Sequence, residues 1–154
     1  MAKITRIGYG QVEPNHLSAQ RTGQIYAQLP AVESIEVLEN GQFVKYDYAS
    51  GKVNFTGEGE FMLVLNEVKL YDERETYKDF RMAKANYVGG VMVPRVFKTN
   101  VGDIYTTNMI DSAIDVKEGT KLAPNATGVL TTAGDNAEMI WKVVKVYTLA
   151  DGQA

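Results

Sequence analysis

Between Val32 and Ala150 the sequence is a succession of short alternating runs cut by turn residues, and this rhythm limits the fold more than any other feature. SIEVLEN, QFVKYDY and GKVNF each alternate apolar and polar side chains, the period that turns one face of a strand toward a core. Asn40-Gly41 and Ser50-Gly51 stand between them as turns. Asn-Gly flanked by alternating residues is the strongest short hairpin signal, because both positions tolerate positive φ. GEFMLVLNEV, apolar throughout residues 61–65, reads as a strand covered on both faces. NYVGGVMVPRVF returns to strand but breaks at Gly89-Gly90 and again at Pro94, which suits an edge strand or a bulge. DIYTTNMI, AIDVKEG and TGVLTT follow. AEMIWKVVKVYTLA closes the series as a long continuous run that carries the only tryptophan, Trp141.

Fourteen glycines and nine tyrosines suit strands and turns better than helices. The expected fold is mainly β: a small sandwich or partly closed barrel, with one short helix and an extended N-terminal arm. VLENGQFVKYDYASGKV and DVKEGTKLAPNATGVL echo each other, with an acidic residue ahead of one Gly and a second Gly further on. Two copies are too few for a repeat architecture, so the echo reads as recurrent hairpin grammar.

The chain divides at residue 30 into an arm, 1–30, and a β-rich globular domain, 31–154. MAKITRIGYGQVEPNHLSAQRTGQIYAQLP holds four Gln, three Gly and two Pro, with isolated apolar residues and no sustained period. Lys3, Arg6 and Arg21 against Glu13 leave it at +2, while the remainder stands at −5. Such a segment has little contiguous apolar surface to offset its own ordering entropy. It is either a flexible terminus or an arm that orders on a partner. Ile4, Ile7, Tyr9, Leu17, Ile25, Tyr26 and Leu29 are spaced like anchors, as in a strand added to a neighbour's sheet edge.

Chemistry finds little support. Without cysteine there are no disulfides, thiolate zinc sites, iron–sulfur clusters or cysteine nucleophiles. His16 is the only histidine, so HExxH and multi-histidine metal sites are excluded, and it sits in the least structured segment. No GxSxG, GxxxxGK[ST] or GxGxxG occurs. The run 56–60, TGEGE, reads as a turn rather than a carboxylate pair. Glu58 and Glu60 are the sole basis for a hydrolase reading. Asp103, Asp111 and Asp115 lack the spacing of a calcium loop. No cofactor or metal is expected. A net charge of −3, with no cluster of Lys and Arg, gives no nucleic-acid footprint. No apolar run approaches the roughly 20 residues that span a bilayer, and MAKITRIGYG lacks a signal-peptide core. The expectation is a protein made in the cytoplasm, with no membrane partner.

Charge density peaks in KLYDERETYKDFR, residues 69–81, where four acids, four bases and three aromatics share thirteen positions. As a helix it would set Glu75 against Lys78 and Asp79, and Tyr77 against Phe80 and Arg81. Each acid has a basic neighbour within four residues. Acid–base catalysis needs carboxylates in a dry pocket with separated pKa values, so this stretch makes a poor active site. It is a solvated face, or an interface to which Tyr71, Arg74, Tyr77 and Arg81 contribute the anchors favoured where proteins meet.

The run from Gly59 to Asn108, GEFMLVLNEVKLYDERETYKDFRMAKANYVGGVMVPRVFKTNVGDIYTTN, resembles structural proteins of tailed-bacteriophage heads, in particular the small accessory proteins that decorate or cement the capsid. VLENGQFVKYDYASGKV and KEGTKLAPNATGVL are similar to hairpins of those compact β-rich proteins, and the likeness extends over residues 32–149. The resemblance implies a non-enzymatic virion protein, made in the host cytoplasm, on the exterior of the capsid. Its partner would be the major capsid protein, with self-association on the shell. A terminal arm of this family often adds to a neighbour's sheet, which would give the arm 1–30 its role. From side-chain chemistry alone, the candidate partner contacts are Ile4, Arg6, Tyr9, Leu17, Arg21, Ile25, Tyr26, Tyr71, Arg74, Tyr77 and Arg81. The alternative is a carbohydrate- or protein-binding β module of a phage tail or surface structure, using the scattered Tyr residues and Trp141.

Overall fold

The computed structural model describes residues 2–4, 10–13, 25–66 and 81–148. The fold is mainly β, made of several small antiparallel sheets, with no α-helix and no closed barrel among the described residues. Its strands are β1 (Ala2–Lys3), β2 (Val12–Glu13), β3 (Ile25–Gln28), β4 (Val37–Leu38), β5 (Phe43–Asp47), β6 (Lys52–Asn54), β7 (Phe61–Val64), β8 (Met82–Ala83), β9 (Arg95–Lys98), β10 (Thr106–Thr107), β11 (Asp115–Val116), β12 (Lys121–Pro124), β13 (Leu130–Thr132) and β14 (Trp141–Lys142). Two 3₁₀ turns, Lys84–Asn86 and Val88–Gly90, lie between β8 and β9. The short helix expected over residues 69–81 falls outside the described residues except for Arg81.

The framework is a five-stranded sheet in the order β3-β9-β7-β5-β6, with β7 at its centre. The pleat sends alternate side chains to opposite faces, and both faces are covered. Val44, Val53, Met62, Val64 and Val96 point to one side, where Ala31, Ile35, Leu38, Met82 and Met92 cover them. Phe43, Leu63 and Phe97 point to the other, against Leu122 and Leu130 of a three-stranded sheet ordered β13-β12-β14. The register matches Phe43 with Leu63 and Leu63 with Phe97, so three large side chains line up across neighbouring strands. This two-sided burial is why 61–65 lacks polar alternation. The described part is thus layered: the β4–β8 pair with its loops, the five-stranded sheet, and the three-stranded sheet.

Turn chemistry joins the layers. Asn40-Gly41 is a turn, with Gly41 at φ 92°, but it is not a hairpin. It carries the chain from β4, which pairs with β8, into β5 of the central sheet. Asn40 holds the crossing by exchanging hydrogen bonds with the main chain of Asn66, at 3.1 and 2.8 Å. Ser50-Gly51 does close a hairpin, between β5 and β6, where Asp47 accepts from the Ser50 hydroxyl at 2.6 Å and from the Ala49 N–H at 3.2 Å. Gly128 stands at φ 75° with its carbonyl accepting from Phe43 N–H at 2.8 Å. A Cβ there would lie 2.3 Å from the Phe43 oxygen, so only glycine lets the two sheets approach this closely.

Two expectations change form. The run 137–150 is not one long strand: within its described part, only Trp141–Lys142 forms a strand. Val143 adds two bonds, donating to Thr120 at 2.9 Å and accepting from Gly119 at 2.7 Å. Beyond that the ladder loses its partner, because the neighbouring chain turns away at 117–120. The described pieces of the first thirty residues pair with the chain's own body. β1 lies on β11, β2 on β10, and β3 on β9 with a bulge between Ile25 and Ala27. Gln11 N–H donates to Asn108 Oδ1 at 2.7 Å, and the Thr107 hydroxyl donates to the Gln11 carbonyl at 2.7 Å. The edge that these strands extend is intramolecular.

Candidate interaction site

On the side of the three-stranded sheet, the loop before β10 and the segment around β14 wall a cleft of about 810 Å³. Its apolar lining includes Ile104, Ile110, Leu122, Leu130, Met139 and Val143. Tyr105 and Trp141 stand in the wall in edge-to-face contact, ring centroids 4.8 Å apart and planes at 86°, and Trp141 also meets Phe43 at 6.1 Å. The Tyr105 hydroxyl and the Trp141 Nε1–H are buried without a hydrogen-bond partner among the described residues. Such groups each cost about 1–3 kcal/mol of desolvation. Burial also pushes the Tyr105 phenol far above its ordinary pKa and keeps it protonated. Exposed apolar residues stand at the rim beside exposed Lys142 and Lys145: Val101 is 107% exposed, Val144 68% and Ile140 51%.

The opposite side carries a second feature. The 3₁₀ turn Val88–Gly90 is a projecting tip at which Val88 is 101% exposed, flanked by exposed Tyr87, Val91 and Val93. Gly89 and Gly90 sit at φ 70° and 68°, and a Cβ on Gly89 would meet nothing within 4 Å. Buried Met92 anchors the base, where its carbonyl accepts from Ala31 N–H at 2.8 Å.

The sequence candidates are scattered relative to these features. Ile4 is 6% exposed and lines the cleft, so it is a body residue rather than a projecting anchor. It follows directly on β1, which pairs with β11 of the chain's own body. Arg81 is exposed and precedes β8, in the layer on the other side of the central sheet. Ile25 and Tyr26 lie in β3, with only the backbone described. Arg6, Tyr9, Leu17, Arg21, Tyr71, Arg74 and Tyr77 lie outside the described residues. Glu58 and Glu60 are exposed, and Glu60 pairs with Lys98 at 2.5 Å. Asp103 and Asp111 accept from loop N–H groups at 2.8 and 2.9 Å. Among the described residues no group of three or more His, Cys, Asp or Glu is placed to hold a metal ion. The exposed residues Val88, Val101 and Val144 escaped the sequence reading. Val88 had a signal, since an apolar residue beside Gly-Gly in NYVGGV marks a tip as readily as a broken strand.

No family model matches the sequence, and no curated protein or solved structure matches it either.

Proposed function

We propose that the chain is a non-enzymatic virion structural protein that binds and stabilises the assembled capsid shell of a tailed bacteriophage, with the major capsid protein as its partner. The observation that carries this reading is the exposure of apolar side chains on both sides of the central sheet, around Val88 and around Val101, Ile140 and Val144. An enzyme concentrates its special surface in one cleft, whereas a lattice component needs contacts in more than one direction. Repetition over a closed shell turns weak contacts into large collective stability. The aromatic pair gives the carbohydrate alternative little help: Tyr105 and Trp141 stand edge to face rather than side by side as a platform for a sugar ring.

Purified protein mixed with undecorated mature shells is expected to co-sediment, and Val101→Asp together with Val144→Asp is expected to weaken that. Deleting residues 1–30 is a poor probe, since it strips three strands from the chain's own sheets. Absence of the protein from the shell pellet at every concentration would overturn the proposal.

A further inference from the structure

The apolar tip and the apolar cleft lie on opposite sides of the five-stranded sheet, the tip beside the Met82 and Met92 layer and the cleft beside Leu122 and Leu130. One copy therefore cannot fill its own cleft with its own tip. We propose that the Val88 tip of one copy seats in the Trp141-walled cleft of a second copy, giving a head-to-tail contact between identical chains.

Three observations carry this. The tip is built to enter something: Val88 stands clear on a glycine pair, with Tyr87, Val91 and Val93 as an apolar collar. Its base is fixed, because the Lys84 side chain lies under Gly90 and its ammonium donates to the Glu33 carbonyl at 2.7 Å. The cleft can receive it: Ile110, Leu122, Leu130, Met139 and Val143 line it alongside the charged Asp103, Glu138, Lys142 and Lys145, and its rim residues Val101, Ile104 and Val144 are exposed. A valine-tipped loop meets that lining without bringing an uncompensated charge into it. Because the two surfaces differ, the contact is heterologous. Such a contact closes into a ring or grows into an open row, according to the rotation between neighbours. It uses the same exposed side chains as the shell contact proposed above, and the test is chosen to tell the two apart.

The test uses the full chain and two surface variants. Val88→Asp removes the tip, and Val144→Asp charges the cleft rim; both positions are exposed, so folding is expected to survive. A contact centred on one loop is small and weak, so wild-type protein should show concentration-dependent sedimentation approaching about 500 μM. Each variant alone should associate at least about tenfold more weakly. An equimolar mixture of the two should regain one contact, because the Val144→Asp copy keeps a tip and the Val88→Asp copy keeps a cleft. That mixture should stop at a 1:1 complex and shift the Trp141 emission. A wild type that stays monomeric overturns the proposal, including one that still sediments with shells, which would assign both surfaces to the shell. Association that survives Val88→Asp, or a mixture that fails to recover it, overturns it as well.

Discussion

Tyr105→Phe should make this protein more stable. The hydroxyl is buried with no partner among the described residues, so the folded state gives up its hydration and gains nothing in return. Replacing O–H by H removes that desolvation cost, about 1–3 kcal/mol, while the edge-to-face contact of the ring with Trp141 is kept. For a chain of this size a gain of about 1 kcal/mol corresponds to a rise in Tm of roughly 2–4 °C. The effect should grow in alkali, with a sign that follows from proton binding. Burial raises the folded-state pKa of Tyr105, so above the unfolded value near 10 the unfolded chain loses a proton that the folded chain retains. Fewer protons bound to the unfolded state means that stability falls as pH rises. Wild type therefore loses about 1.4 kcal/mol in all between pH 7 and pH 11 through this residue, and Tyr105→Phe does not. Urea titrations of both proteins at pH 7 and pH 11 measure the difference directly. A variant less stable than wild type at pH 7, or a difference unchanged at pH 11, refutes the reasoning.

Other substitutions test separate parts of the fold by the same titration. Gly128→Ala should cost more than about 2 kcal/mol, because the new Cβ meets the Phe43 carbonyl in a positive-φ residue. Ile4→Ala should cost about 2–4 kcal/mol as a buried-residue deletion; a cost near zero would mean that the N-terminal strand is not part of the body. Gln42→Ala should cost about 1–3 kcal/mol, since the buried amide accepts from Glu39 N–H and donates to the Thr127 carbonyl. Glu138→Ala should change stability by less than about 1 kcal/mol, although its bond to Lys45 is 2.7 Å long, because the carboxylate is solvated.

What the sequence disclosed follows the range of each signal. Alternation is local, and Phe43–Asp47 and Lys52–Asn54 lie where QFVKYDY and GKVNF placed strands. The apolar block Phe61–Val64 sits at the centre of the main sheet, with Met62, Leu63 and Val64 almost wholly buried. Pairing is non-local, and there the reading loses force. Asn40-Gly41 has the chemistry of a hairpin turn, yet β4 finds β8 more than forty residues away. The run 137–150 has the apolar content of a long strand, but a ladder reaches only as far as its partner, and that partner turns at 117–120. Of the apolar residues spaced along the first thirty, Ile4 is buried next to β1, which pairs with the chain's own body. The cleft was the least legible part, since it joins 99–108 with 138–147, two segments that share no motif.

Electron microscopy of tailed-phage particles incubated with the purified protein tests the proposed capsid role most directly. The account predicts repeated density on the outside of the capsid that accepts the layered β body, with its apolar surfaces turned toward neighbours. Density confined to the tail, or particles lacking this density altogether, would contradict it.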